Sequence, residues 1–153
     1  MSGTFSQIYI QLVFAVKGRN SLINSSWEER LYQYITGIVK GKNQKLIAIN
    51  GMPDHIHVFI GLKPACCLSD LVREIKKSSN EFIKENKLSK SGFNWQEGYG
   101  AFSYSHSQID SVYKYIMNQK VHHKKTSFQE EYTDFLNKFE IEHDEKYLFE
   151  WIH

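Results

Sequence analysis

Two runs of strand-forming residues, Lys45–Asn50 (KLIAIN) and His55–Ile60 (HIHVFI), are separated by little more than Gly51-Met52-Pro53. So short a link sends the second run back along the first, which makes the pair an antiparallel hairpin. Everything else is arranged around that hairpin. An earlier strand is expected over Gln7–Val16 (QIYIQLVFAV) and a later one over Tyr99–His106 (YGAFSYSH). Before the hairpin comes a helix, with Ser26 as N-cap, Glu28 and Glu29 in the first turn, and Leu31, Tyr34, Ile35 and Ile38 at helical spacing as far as about Lys40. Gly41 suits its end. After the hairpin, Leu68, Leu71, Val72, Ile75, Phe82 and Ile83 mark a second long helix that starts near Ser69, followed by a polar loop over Lys87–Gly92.

The order β-α-β-β-α-β specifies an α+β fold: a ferredoxin-like, RRM-like antiparallel sheet with helices on one face. Two further helices follow. One runs from near Gln108 to about His123, with Ser107 and Asp110 as its capping box. The other opens at Ser127 with Glu130 and offers Phe128, Tyr132, Phe135, Leu136 and Phe139 for packing. RNA-recognition modules share this architecture, so the fold alone leaves the function open.

Residues 1–153 suit one domain with one core, carrying a C-terminal helical, acidic extension over about 126–153. No apolar run approaches the ~18 residues of a membrane helix, and Met1-Ser2-Gly3-Thr4-Phe5 does not read as a signal peptide. The expected location is the cytoplasm, with no membrane partner. Cys66 and Cys67 are adjacent, which excludes a disulfide framework, and no further ligand stands at zinc-site spacing from them. Residues 130–153 hold eight acids and two lysines, a charge of −6, so residues 1–129 carry +8. A basic body with an acidic tail is compatible with a polyanionic ligand.

His55 and His57 stand two apart in a strand, so both imidazoles leave the sheet on one face, while Ile56, Val58 and Ile60 point to the other. Imidazole is the commonest protein metal ligand. Two histidines do not complete a site, and a third ligand must come from elsewhere. The helix from Gln108 offers one. With ~100° per residue and Ile109 at zero, Val112, Tyr113 and Ile116 form the core stripe, whereas Tyr115, Gln119 and His122 fall near 240°, 280° and 220°. A hydroxyl, an amide and an imidazole therefore share a second ridge beside the core. Between Ser111 and Gln129 lie Lys114, Lys120, Lys124 and Lys125 and no acid. A basic helix that presents a tyrosine suits a nucleophile facing a phosphate.

Three segments then carry a resemblance. Pro53-Asp54-His55-Ile56-His57, Trp95-Gln96-Glu97-Gly98-Tyr99-Gly100-Ala101-Phe102-Ser103 and Tyr115-Ile116-Met117-Asn118-Gln119 with His122-His123 resemble the single-tyrosine HUH transposases of the insertion sequence 200/605 (TnpA-like) group, over about Ser6 to Phe149. One departure is visible: Gln11 stands where the first strand often carries a histidine, and no catalytic role is attached to it. The resemblance implies that His55, His57 and Gln119 hold a divalent metal, Mg2+ or Mn2+, and that Tyr115 is the nucleophile. It also implies single-stranded DNA with hairpin ends as substrate and a homodimer in which the tyrosine helix can pair with the partner's histidines. The expected reaction is cleavage and rejoining through a 5′-phosphotyrosine bond. A free phenol has a pKa of about 10, so something must favour its anion. DNA contacts are expected from Arg73, Lys76 and Lys77 on the second helix and from Lys120, Lys124 and Lys125 beyond the tyrosine. The rival readings are a non-catalytic module that stacks nucleic acid on Phe102 and Tyr104, a zinc hydrolase with a water nucleophile, and a domesticated relative that keeps the chemistry.

Overall fold

Strand β1 (Tyr9–Ala15) is followed by helix α1 (Glu28–Gly41), the hairpin β2 (Lys45–Met52) and β3 (His55–Gly61), helix α2 (Leu68–Glu85) and strand β4 (Gly100–Tyr104). This is the expected order, seen here in a computed structural model that describes residues 3–90 and 92–152. The expectations of a span over 1–153 and of a start without a signal peptide reach Met1, Ser2 and His153, and the 87–92 loop includes Ser91; these four lie outside the described residues. The four strands form one antiparallel sheet in the order β2-β3-β1-β4. Beyond it come α3 (Ile109–Met117), α4 (Gln119–His122) and α5 (Phe128–Lys138).

Strand alternation divides the sheet into two unlike faces. Leu12 and Phe14 of β1, with Ile56, Val58 and Ile60 of β3, join one apolar core with Leu31, Ile35 and Val39 of α1 and Leu71, Val72, Ile75 and Ile83 of α2. The opposite face carries Gln11, His55, His57, Phe59 and Phe102. It is covered by the last three helices: Phe59 and Ala48 pack against Val112 and Ile116 of α3, and Phe135 of α5 lies over Phe102 and His57. Gly100 allows α5 this approach, since a Cβ there would stand 2.7 Å from the Tyr132 hydroxyl.

Several local expectations need correction. The N-cap of α1 is Trp27 rather than Ser26, because Asn24 Oδ1 takes the Ser26 amide at 2.8 Å and closes a turn first. Helix α2 starts at Leu68 after Cys67. The capping box before α3 is Ser105 with Gln108, not Ser107 with Asp110, since a 3-10 turn over His106–Gln108 precedes the helix. The cap at Ser127 forms as expected and accepts from the Glu130 amide at 3.2 Å. The helix expected over 108–123 is broken at Asn118. Asn50 Nδ2 of β2 donates to the carbonyls of Ile116 and Met117, at 3.1 and 3.2 Å, and the Val121 amide turns to Asn118 O instead. Tyr113 is not core but 43% exposed, because α3 sits over the edge strand β2 and Tyr113 overhangs it beside Ile49 and Met117.

Candidate active site

His55 and His57 do leave the same face of β3, and both are fully buried. Each ring is held from behind. His55 Nδ1 lies 2.7 Å from Asp54 Oδ1, and His57 Nδ1 lies 2.7 Å from Gln11 Oε1, whose amide nitrogen in turn donates to the Tyr104 hydroxyl at 2.8 Å. With acceptors on Nδ1, both rings turn Nε2 toward the space under α4 and α5. Such carboxylate and amide partners are what fix the tautomer and direction of a metal-binding imidazole. Gln11 therefore has a role that the resemblance did not suggest: it orients His57.

The break at Asn118 turns Gln119 inward. Its side chain is fully buried, and Oε1 reaches His55 Nε2 at 3.2 Å. The expected histidine–histidine–glutamine set thus comes together within one chain. Tyr115 is half-buried beside it, its ring 6.1 Å from that of His57 and 4.8 Å from that of His122. Tyr115, Gln119 and His122 do lie together, but on two helices rather than one, and they face into the site instead of lying beside the core.

One residue at the centre was not expected. Glu131 of α5 is buried, with Oε1 at 3.1 Å from His57 Nε2, 3.3 Å from His55 Nε2 and 3.2 Å from His123 Nε2. Its Oε2 accepts from the Tyr115 hydroxyl in a short hydrogen bond and from Gln119 Nε2 at 3.1 Å. One atom each of His55, His57, His123 and Glu131 lies within 4.8 Å of the others, a group able to hold a metal ion. His123 Nε2 lies 3.2 Å from the carboxylate but is not aligned for a hydrogen bond to it. A signal for Glu131 was present. At ~100° per residue it falls about 40° from Phe135 on the apolar stripe of α5, where an acid has no solvent to face.

The electrostatics follow from burial and from what stands behind each ring. Burial alone would lower the pKa of His55, but the carboxylates of Asp54 and Glu131 on its two nitrogens outweigh it and raise the value. His57 has a neutral amide behind it, so burial prevails over Glu131 and its pKa falls. Burial pushes Glu131 up, yet the surrounding imidazoles outweigh it and hold the carboxyl far below the usual range. Burial first, and then the charge of Glu131, raise the Tyr115 phenol well above its ordinary value. The hydroxyl in this arrangement is neutral, and a positive charge beside Glu131 would remove the second of those causes.

The chain matches the family model described as "Transposase IS200 like" over residues 4–119. The chain belongs to this family. It is 24% identical over 122 residues to the ISDra2 transposase TnpA of Deinococcus radiodurans, covering 76% of this chain and 87% of that one. A crystal structure from Deinococcus radiodurans R1 described as a transposase superposes with a TM-score of 0.62 at 22% identity, covering 78% of this chain and 95% of the other. A REP-associated tyrosine transposase bound to a REP hairpin superposes with a TM-score of 0.59 at 19% identity, over 80% and 74%. The family match ends at Gln119, so α5 and Glu131 lie beyond it.

In this IS200-like transposase the expected DNA-contacting cations differ in availability. Lys77, Lys124 and Lys125 are exposed. Arg73 is exposed and paired with Asp70 at 2.9 Å. Lys76 is committed to the fold: its Nζ donates to Gln96 O and Gly98 O at 2.8 and 2.6 Å, and burial lowers its pKa to about 8. Lys120 pairs with Glu28 at 2.9 Å and donates to Gly51 O, tying α4 to the hairpin. The rival reading of an open stacking surface fails on geometry. Phe102 is buried beneath Phe135 and Phe139, and Tyr104 is engaged with Gln11 and Phe139. No helix among the described residues is long and apolar enough to cross a membrane.

Proposed function

We propose that this transposase cleaves and rejoins single-stranded DNA through a covalent bond to Tyr115. The observation that carries the reading is convergence: the Tyr115 hydroxyl and the Nε2 atoms of His55 and His57 all meet the one buried carboxylate of Glu131. In the proposed step, Tyr115 Oη attacks a backbone phosphorus, the P–O3′ bond breaks, and a 5′-phosphotyrosine forms while the 3′-oxygen leaves and takes up a proton. The bond energy is retained in the phosphotyrosine, so a 3′-hydroxyl of another strand can reverse the step and join to the new end. Glu131 Oε2 already accepts the hydrogen bond of the phenol and is the atom toward which its proton points.

A divalent cation, magnesium or manganese, held by His55, His57 and Gln119 would supply Lewis acidity toward the phosphate oxygens. The arrangement of the donors supports it: two imidazoles whose outward nitrogens are already fixed, an amide oxygen directed at them, and a further imidazole nitrogen alongside. Asp54 and Gln11 hold the two rings, and Asn50 holds the turn that carries Gln119. Lys77, Lys124 and Lys125 are the exposed cations proposed to meet the phosphate backbone. DNA with hairpin ends is the proposed substrate, supported by the REP hairpin held by the related tyrosine transposase. A second copy of the chain is the proposed partner, on the family resemblance.

The test is incubation with single-stranded DNA and manganese, followed by a denaturing gel. A protein–DNA adduct that disappears in Tyr115→Phe and with a chelator is the expected result. Cleaved DNA without an adduct would instead indicate a water nucleophile, as in a zinc hydrolase. An adduct that persists in Tyr115→Phe would mean a different nucleophile.

A further inference from the structure

We infer that Glu131 is itself a ligand of the divalent cation, supplied by a helix outside the family match; the inference rests on the metal reading above. Asp54 Oδ1 and Gln11 Oε1 accept no proton donor other than the Nδ1–H of His55 and of His57 in these contacts, so each neutral ring turns the lone pair of Nε2 inward. Gln119 Nε2 donates to Glu131 Oε2, which leaves its carbonyl oxygen facing His55 Nε2. Glu131 Oε1 then stands among three Nε2 atoms at 3.1, 3.3 and 3.2 Å. Where the rings of His55 and His57 are neutral, their Nε2 lone pairs face the carboxylate oxygen with no donor between them. Only protons on the rings or a shared cation make such a cluster favourable.

The spacing favours the cation. Ligand bonds of ~2.1 Å at right angles place neighbouring ligand atoms ~3 Å apart. The distances from Glu131 Oε1 to the imidazole nitrogens are of that size. The carboxylate is only 3% exposed, and a buried carboxylate left without a compensating charge is strongly unfavourable. Charge points the same way. Two neutral imidazoles and an amide are a poor set for a hard cation such as magnesium or manganese, whereas one carboxylate supplies the oxygen charge that such ions prefer. The other oxygen of the same carboxylate takes the Tyr115 hydroxyl, so one side chain would tie the position of the nucleophile to that of the ion.

The experiment is titration of the full-length protein with manganese, read by calorimetry and by the electron paramagnetic resonance signal of the free ion, with circular dichroism to confirm folding. Glu131→Gln keeps the shape and removes the charge; its manganese affinity is expected to fall by at least about 10-fold, and that of His57→Ala further still. Glu131→Gln binding as tightly as the wild type, or more tightly, overturns the inference, because the carboxylate would then fill the site rather than serve it. If His57→Ala also binds like the wild type, the metal reading beneath it falls too. Should Glu131→Gln not fold, Glu131→Asp carries the test, since one methylene less draws the carboxylate away from the imidazoles. Weaker binding is expected there, and wild-type affinity would overturn the inference.

Discussion

The two faces of one sheet solve different problems with neighbouring residues. On the α1/α2 face, Ile56, Val58 and Ile60 meet aliphatic side chains and nothing polar is asked of them. On the other face, His55, His57 and Gln11 alternate with those residues along the same strands, equally buried, yet nearly every polar atom has a named partner. The first face stabilises by area removed from water. The second contributes little net stability, since buried polar clusters gain roughly what desolvation costs. Its benefit is placement. The contrast teaches that α3, α4 and α5 cover the polar face and bury the proposed reaction centre, with Phe128 stacked on His55 at 3.8 Å as part of that cover.

The comparison can be broken most sharply at adjacent positions. His57→Ala is expected to lower adduct formation by more than about 100-fold with little loss of fold, whereas Ile56→Ala is expected to cost about 2–5 kcal/mol of stability while the folded fraction still reacts. Denaturant melts paired with adduct assays check both, and loss of chemistry in Ile56→Ala at full folding would erase the distinction. A second test asks whether one chain is enough. Because Tyr115 meets the histidines of its own chain, mixing His57→Ala with Tyr115→Phe protein is expected to restore no adduct. Restoration would mean that sites are shared between copies.

Smaller effects sharpen the picture. Gln11→Ala should reduce manganese affinity or adduct rate by about 10–100-fold by freeing the His57 ring, measured alongside binding. Ser127→Ala removes the cap of α5 and should cost about 1 kcal/mol in a thermal melt. The least is expected from Lys76, on the apolar-face helix α2. Its folded pKa of about 8 lies below the ordinary 10.5, so the unfolded chain binds more protons between those values. The wild type should therefore gain stability relative to Lys76→Met as pH rises from about 8 to 10.5, and should show a constant difference below 8.

Much of this was legible in the chain. The short turn at Gly51-Met52-Pro53 requires the hairpin, and strand alternation alone places both histidines on one face. Helical spacing picked out Tyr115 and Gln119 together. What stayed hidden depended on contacts far apart in sequence. The break at Asn118 follows from Asn50, 66 residues from Ile116, and no local propensity announces it. Gln11 gains its role only through pairing of β1 with β3. Glu131 is masked by the summed charge of the acidic tail, and only its place on the helix wheel, on the stripe of Phe128 and Phe135, sets it apart.

The most direct measurement is mass spectrometry of the protein–DNA adduct after digestion with nuclease and protease. The account predicts a residual 5′-phosphonucleotide on the peptide that contains Tyr115, bonded to that phenol. A nucleotide on Tyr104, Tyr132 or any other residue, or cleaved DNA with no modified peptide, would contradict it.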